Sequence, residues 1–120
     1  MTARRILLAT LCLLALATST SAQIVNTSPS DILANTDRYD ARTVSIRGTV
    51  TNLQERVSRA GNPYYTLDLS DGKQAIRVFS FGTAPCRSGT ATIEGGFAKV
   101  KQQGRYTFYN EVTATRVMCR

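Results

Sequence analysis

The stretch RTVSIRGTVTNLQERVSRAGNPYYTLDLSDGKQAIRVFSF, Arg42 to Phe81, decides the fold. Val44, Ile46, Gly48 and Val50 alternate with Thr43, Ser45, Arg47 and Thr49, and a period of two fits a strand with one buried face, not a helix. A first strand is expected from about Thr43 to Leu53, with Gly48 suited to a bulge or sharp coil that lets one strand serve two sheets. Tyr65, Leu67 and Leu69 alternate with Tyr64, Thr66 and Asp68, which predicts a second strand over Tyr64–Ser70. Asp71-Gly72 makes a tight turn. Ile76 and Val78, alternating with Arg77 and Phe79, predict a third strand over Gln74–Phe81. The alternation points Leu67, Leu69, Ile76 and Val78 inward and leaves Tyr64, Thr66, Arg77 and Phe79 on the outer face.

Outward from this core, Gln54 to Pro63 is expected as a cationic, turn-rich loop carrying Arg56 and Arg59. Gly82 to Gly89 is irregular. Ala91, Ile93, Gly95 and Phe97 mark a fourth strand over about Thr90–Val100. Phe108, Val112, Ala114 and Val117 mark a fifth over about Tyr106–Met118, with a parity break near Thr115 and Arg116 that predicts a bulge. Lys101 to Arg105 forms a second cationic loop between them. Upstream, Ser28 or Ser30 can cap a short helix, about Ser30 to Thr36, with Pro29 suited to its first turn. Ile32 and Leu33 would plug one end of the domain, and Tyr39 would lie over the core edge. Five strands in so short a chain predict a small all-β barrel.

The first residues have a different character. Arg4 and Arg5 precede an apolar run, Ile6 to Ala17, and then small polar residues to Ala22, which is the layout of a secretory signal peptide. The run is shorter than the roughly 20 residues a membrane span needs, and it lacks the polar face of an amphipathic helix. Cleavage is expected after Ala22, with Ala17 the competing site. Residues 1–22 are then leader, 23–42 lead-in and helix, and 43–120 barrel. Without Arg4 and Arg5, Lys and Arg fall from 15 to 13 against 8 Asp and Glu, a net charge of +5. That suits a polyanionic partner such as nucleic acid, lipid headgroups or acidic glycan without requiring one. Export to the periplasm or beyond would leave Cys86 and Cys119 in an oxidising compartment, where a disulfide can persist. A free buried thiol or a metal site are the alternatives. The chain has no histidine, and two thiolates do not complete a zinc shell.

Taken together, VSIRGTV, YYTLDLSDG, AIRVFSF, ATIEGGF and NEVTATRV resemble exported bacterial relatives of the anticodon-binding-type nucleic-acid OB-fold domains, over about Ile32 to Val117. Small periplasmic bacterial OB-fold stress proteins have a similar layout. The resemblance implies a five-stranded Greek-key barrel, closed by strand one, with strands three and five parallel; that topology brings Cys86 and Cys119 to one end. It implies a ligand crossing strands two and three between the loop after strand one and the loop joining strands four and five. The residues there would be Tyr64, Arg77, Phe79, Arg56, Arg59, Lys99, Lys101, Arg105 and Tyr106, with rings to stack bases and cations to meet phosphates. Phe81 is expected at a barrel end, and Asp68 can pair with Arg77 across the hairpin.

Enzymatic readings find little support. Asp31, Asp37, Asp40, Glu55, Asp68, Asp71, Glu94 and Glu111 are scattered, with no general-base histidine and no Gly-rich phosphate loop. The expectation is a monomeric, non-enzymatic binding module that needs no metal or cofactor and does not insert in the membrane after leader cleavage. Its expected ligand is single-stranded nucleic acid or another polyanion. The rival is an envelope stress or assembly protein that engages protein or small-molecule partners.

Overall fold

A computed structural model describes residues 23–120, so the leader reading lies outside the described residues. The order of elements is β1 (Val25–Thr27), α1 (Pro29–Ala34), α2 (Thr36–Tyr39), β2 (Thr43–Val57), β3 (Pro63–Ser70), β4 (Ala75–Phe81), β5 (Thr90–Gln103) and β6 (Tyr106–Cys119). The sheet runs β1-β2-β3-β4-β6-β5, and β2 also pairs with β5. Five strands therefore close a ring, with β1 added alongside β2. Numbered from β2, the ring is 1-2-3-5-4-1 with β4 and β6 parallel, the connectivity implied by the resemblance to the OB-fold.

β2 closes the ring by working twice. Its first half, Thr43 to Thr49, pairs with β5, and its second half, from Thr49 on, pairs with β3. Gly48 sits at the handover because a Cβ there would lie 2.4 Å from the carbonyl oxygen of Ser70. It makes a close approach; the register shift expected of it lies downstream, between Thr51 and Gln54, where Asn52 takes a φ of 51°. β2 also continues to Val57, so four residues expected in the loop pair instead with Pro63–Thr66. On β6 the predicted bulge is present: Glu94 pairs with Arg116 and Gly95 with Ala114, leaving Thr115 as the extra residue.

The inward face follows the alternation, with Val44, Ile46, Tyr65, Leu67, Leu69, Ile76, Val78, Ile93, Phe97 and Val112 at most 2% exposed. The expected single helix is two short ones. Ser28 caps the first, its hydroxyl accepting from the N–H of Asp31 at 3.1 Å, with Pro29 behind it. Ile32 is fully buried at the barrel end, worth about 1.5–3 kcal/mol; Leu33 is only partly covered. Asp71 ties this plug to the β3–β4 turn: its carboxylate accepts from the N–H groups of Lys73, Gln74 and Ser30, each at 2.9 Å. Those donors hold its pKa well below the usual carboxylate range, the Gln74 N–H most strongly. Cys86 and Cys119 are bonded, their Cα atoms 5.8 Å apart, and join the β4–β5 link to the end of β6.

Candidate ligand-binding groove

β3 and β4 pair with Tyr64 opposite Phe81, Thr66 opposite Phe79 and Asp68 opposite Arg77, so these side chains share the outer face, as the alternation predicts. The rings pack against one another: Phe79 lies 5.5 Å from Tyr64 and 5.0 Å from Phe81, edge to face with the latter. Phe81 is 68% exposed. It is therefore not a barrel-end residue but the outermost ring of this row. Phe79, expected in water, is buried on the same face. Tyr64 and Phe81 flank it, and the Lys101 ammonium stands 4.2 Å above its ring.

Two hairpin tips wall this face. The β2–β3 tip is held by Ser58, whose N–H donates to the Asn62 carbonyl and whose hydroxyl accepts from the Asn62 N–H. Gly61, at a φ of 85°, makes the turn. This tip contributes Gln54, Arg56, Ser58, Arg59 and Asn62, and the β5–β6 hairpin contributes Gln103, Tyr106 and Phe108. Between them lies a groove of about 690 Å³ floored by Tyr64, Thr66, Arg77, Phe79 and Phe81. Rings line its floor and one wall, Tyr106 and Phe108 (centroids 6.4 Å apart) standing on the β5–β6 side.

Paired with Arg77 of the floor is a buried group the sequence leaves among the scattered carboxylates. Glu111 is 1% exposed, with Arg77 Nε 2.7 Å from one carboxylate oxygen and Lys101 Nζ 2.7 Å from the other. The parallel pairing of β4 and β6 sets Arg77 beside Glu111, and that register cannot be read from either strand's alternation. Arg77 also lies 5.2 Å over the Phe108 ring. Its partner is therefore Glu111 and not Asp68, whose carboxylate accepts from the Asn52 amide at 3.2 Å.

Of the expected ligand contacts, Tyr64, Arg77, Phe79, Arg56, Arg59 and Tyr106 line the groove, and Lys101 reaches its floor from β5. Lys99 does not join them. Its ammonium pairs with Asp37 of α2 at 2.6 Å and its N–H donates to Asp40, and the Asp37 carboxylate raises its pKa. Arg105 is exposed at the β5–β6 tip and is not part of the lining. Phe81 and Phe108 are lining residues the sequence does not single out, and the buried Glu111 behind Arg77 is another. Among the described residues no three of His, Cys, Asp or Glu gather as metal ligands would.

No protein-family model matches the chain, and no curated protein matches it. Among solved structures, the OB domain of a Thermoplasma acidophilum protein, determined by solution NMR, is similar with 21% identity and a TM-score of 0.49, over 82% of this chain and 88% of that one.

Proposed function

We propose that this domain is a non-enzymatic binding module that takes an extended, ring-bearing polyanion, single-stranded nucleic acid above all, along the groove between the two hairpin tips. The observation that carries the reading is the groove itself: aromatic side chains on its floor and on its β5–β6 wall, with Arg56, Arg59 and Arg77 among its lining. Successive bases stack on exposed rings at about 1–3 kcal/mol each, whatever their identity, while guanidinium groups neutralise the backbone. Tyr64, Phe81 and Tyr106 supply the accessible rings, and Phe79 supports them from below. The Cys86–Cys119 bond supports a periplasmic or secreted setting, because disulfides persist in oxidising compartments.

The test is equilibrium binding of the oxidised protein to a fluorescent single-stranded oligonucleotide over a salt series, with an anionic polysaccharide as control. Affinity is expected to fall steeply with ionic strength, and Tyr64→Ala to weaken it by about 1–3 kcal/mol. Equal binding of the ringless polysaccharide would sink the stacking element. Capture of a protein partner that is indifferent to salt and nuclease would favour the envelope-assembly reading instead.

A further inference from the structure

Arg77, Glu111 and Lys101 form a closed trio whose members are not equivalent. A carboxylate that is 1% exposed must be paired to remain ionised, and here each of its oxygens takes one cation, at 2.7 Å. Lys101 spends its donors inward: its ammonium has three hydrogens, and it faces Glu111, Thr113 Oγ1 at 3.4 Å and the Phe79 ring at 4.2 Å. Its side chain is 21% exposed. Arg77 engages Glu111 through Nε alone and lies along the Phe108 ring. That leaves both terminal nitrogens uncommitted on a side chain that is 42% exposed. A planar fork held by its Nε is preorganised for bidentate contact with a phosphate.

We propose that Arg77 is an anion seat in the floor of the groove, with Glu111 as its positioning residue and Lys101 as the internal counter-charge, not as a ligand contact. This refines the polyanion reading above, on which its nucleic-acid arm rests. Two cations on one carboxylate leave one net positive charge, the right balance for one phosphate group. Without Lys101 the seat would be neutral; without Glu111 the two cations would repel and Arg77 would lose its fixed orientation.

The experiment is a salt series with single-stranded oligonucleotide on four forms: wild type, Lys101→Gln, Glu111→Gln and the double variant. Each neutralised phosphate contributes about −0.7 to the slope of log affinity against log salt. Arg56, Arg59 and the seat count as three, so the expected wild-type slope is about −2.1. Lys101→Gln is expected to reduce it to about −1.4, and adding Glu111→Gln to return the slope to about −2.1, because the charge is again single, at an affinity below wild type because Arg77 is no longer held in place. If Lys101 were itself a ligand contact, the wild type would show about −2.8 and the double variant would match Lys101→Gln, which would overturn the proposal.

A second arm uses no nucleic acid. The Arg77 Nε–Hε resonance in the free protein is expected to be sharp and slowly exchanging in wild type and Lys101→Gln, lost in Glu111→Gln, and shifted by inorganic pyrophosphate. A wild type that ignores oligonucleotide but whose Arg77 responds to pyrophosphate refutes the nucleic-acid reading and keeps the seat. An Arg77 signal that is fast-exchanging in wild type, or silent to both ligands, refutes the seat.

Discussion

Gly95→Ala isolates the contact that lets the β5–β6 hairpin exist in its observed register. A Cβ at Gly95 would lie 2.1 Å from the Thr113 carbonyl oxygen and 2.8 Å from Ala114 Cα, all backbone of the neighbouring strand. No rotamer change can relieve a clash with backbone. β6 must back away by about an ångström, which strains the packing by about 1–3 kcal/mol and weakens one or two ladder hydrogen bonds worth about 0.5–1.5 kcal/mol each. The expected loss is about 2–5 kcal/mol. The adjacent glycine supplies the control: a Cβ at Gly96 meets nothing within 4 Å, and Gly96→Ala is expected to be neutral or to stabilise by up to about 1 kcal/mol through the unfolded chain. Urea unfolding followed by far-UV circular dichroism reads both. With a slope near 1–1.5 kcal/mol per molar, Gly95→Ala is expected to lower the midpoint by at least about 1.3 M and by up to about 5 M, while Gly96→Ala leaves it in place. Two neighbours with midpoints that agree within about 0.3 M would refute the close-approach argument.

Phe81→Ala is expected to weaken oligonucleotide binding by about 1–3 kcal/mol, measured by fluorescence anisotropy, whereas Tyr109→Ala, equally exposed at 66% but outside the groove lining, is expected to leave it unchanged. Opening the Cys86–Cys119 bond by Cys86→Ser with Cys119→Ser is expected to cost about 3.7 kcal/mol on the loop-entropy account, for a sequence separation of 33. Denaturant titration of the oxidised and variant forms checks it; a difference under about 1 kcal/mol would mean the bond closes a loop that is already constrained. Asp71 has a lowered folded-state pKa, so its stabilising effect is complete above the unfolded value of about 4 and is lost as pH falls from there through the folded value. In thermal unfolding between pH 7 and pH 2, Asp71→Asn is therefore expected to narrow its deficit against wild type as the solution is acidified; a constant deficit would exclude the linkage.

The inside and outside of the barrel were legible in the sequence because alternation is a local signal. Leu67, Leu69, Ile76 and Val78 are buried where the period of two puts them, and Tyr64 and Arg77 face the groove. Features that depend on which strands become neighbours were not legible. Glu111 looks like any carboxylate until β6 is placed in parallel beside β4, and Lys101 looks like loop charge until β5 extends to Gln103 and carries it over Phe79. Phe79 shows the limit of alternation: it identifies the face but not what covers it. Lys99 was drawn away by Asp37 and Asp40, two acids far upstream of it in the sequence. β1 escaped because three residues, Val25 to Thr27, are too few to show a period.

The handover at Thr49, which sits opposite Thr90 on one side and Ser70 on the other, has a consequence for how the molecule breathes. One strand holds both β3 and β5, so loss of β2 would free both sides of the ring together, and the barrel is expected to open as one cooperative unit. Any motion that admits or releases a guest must then come from the parts that project beyond the ring, the turns at residues 58–62 and 103–106. Hydrogen exchange would show this as fast amides at the two lips and a uniformly slow girdle beneath them.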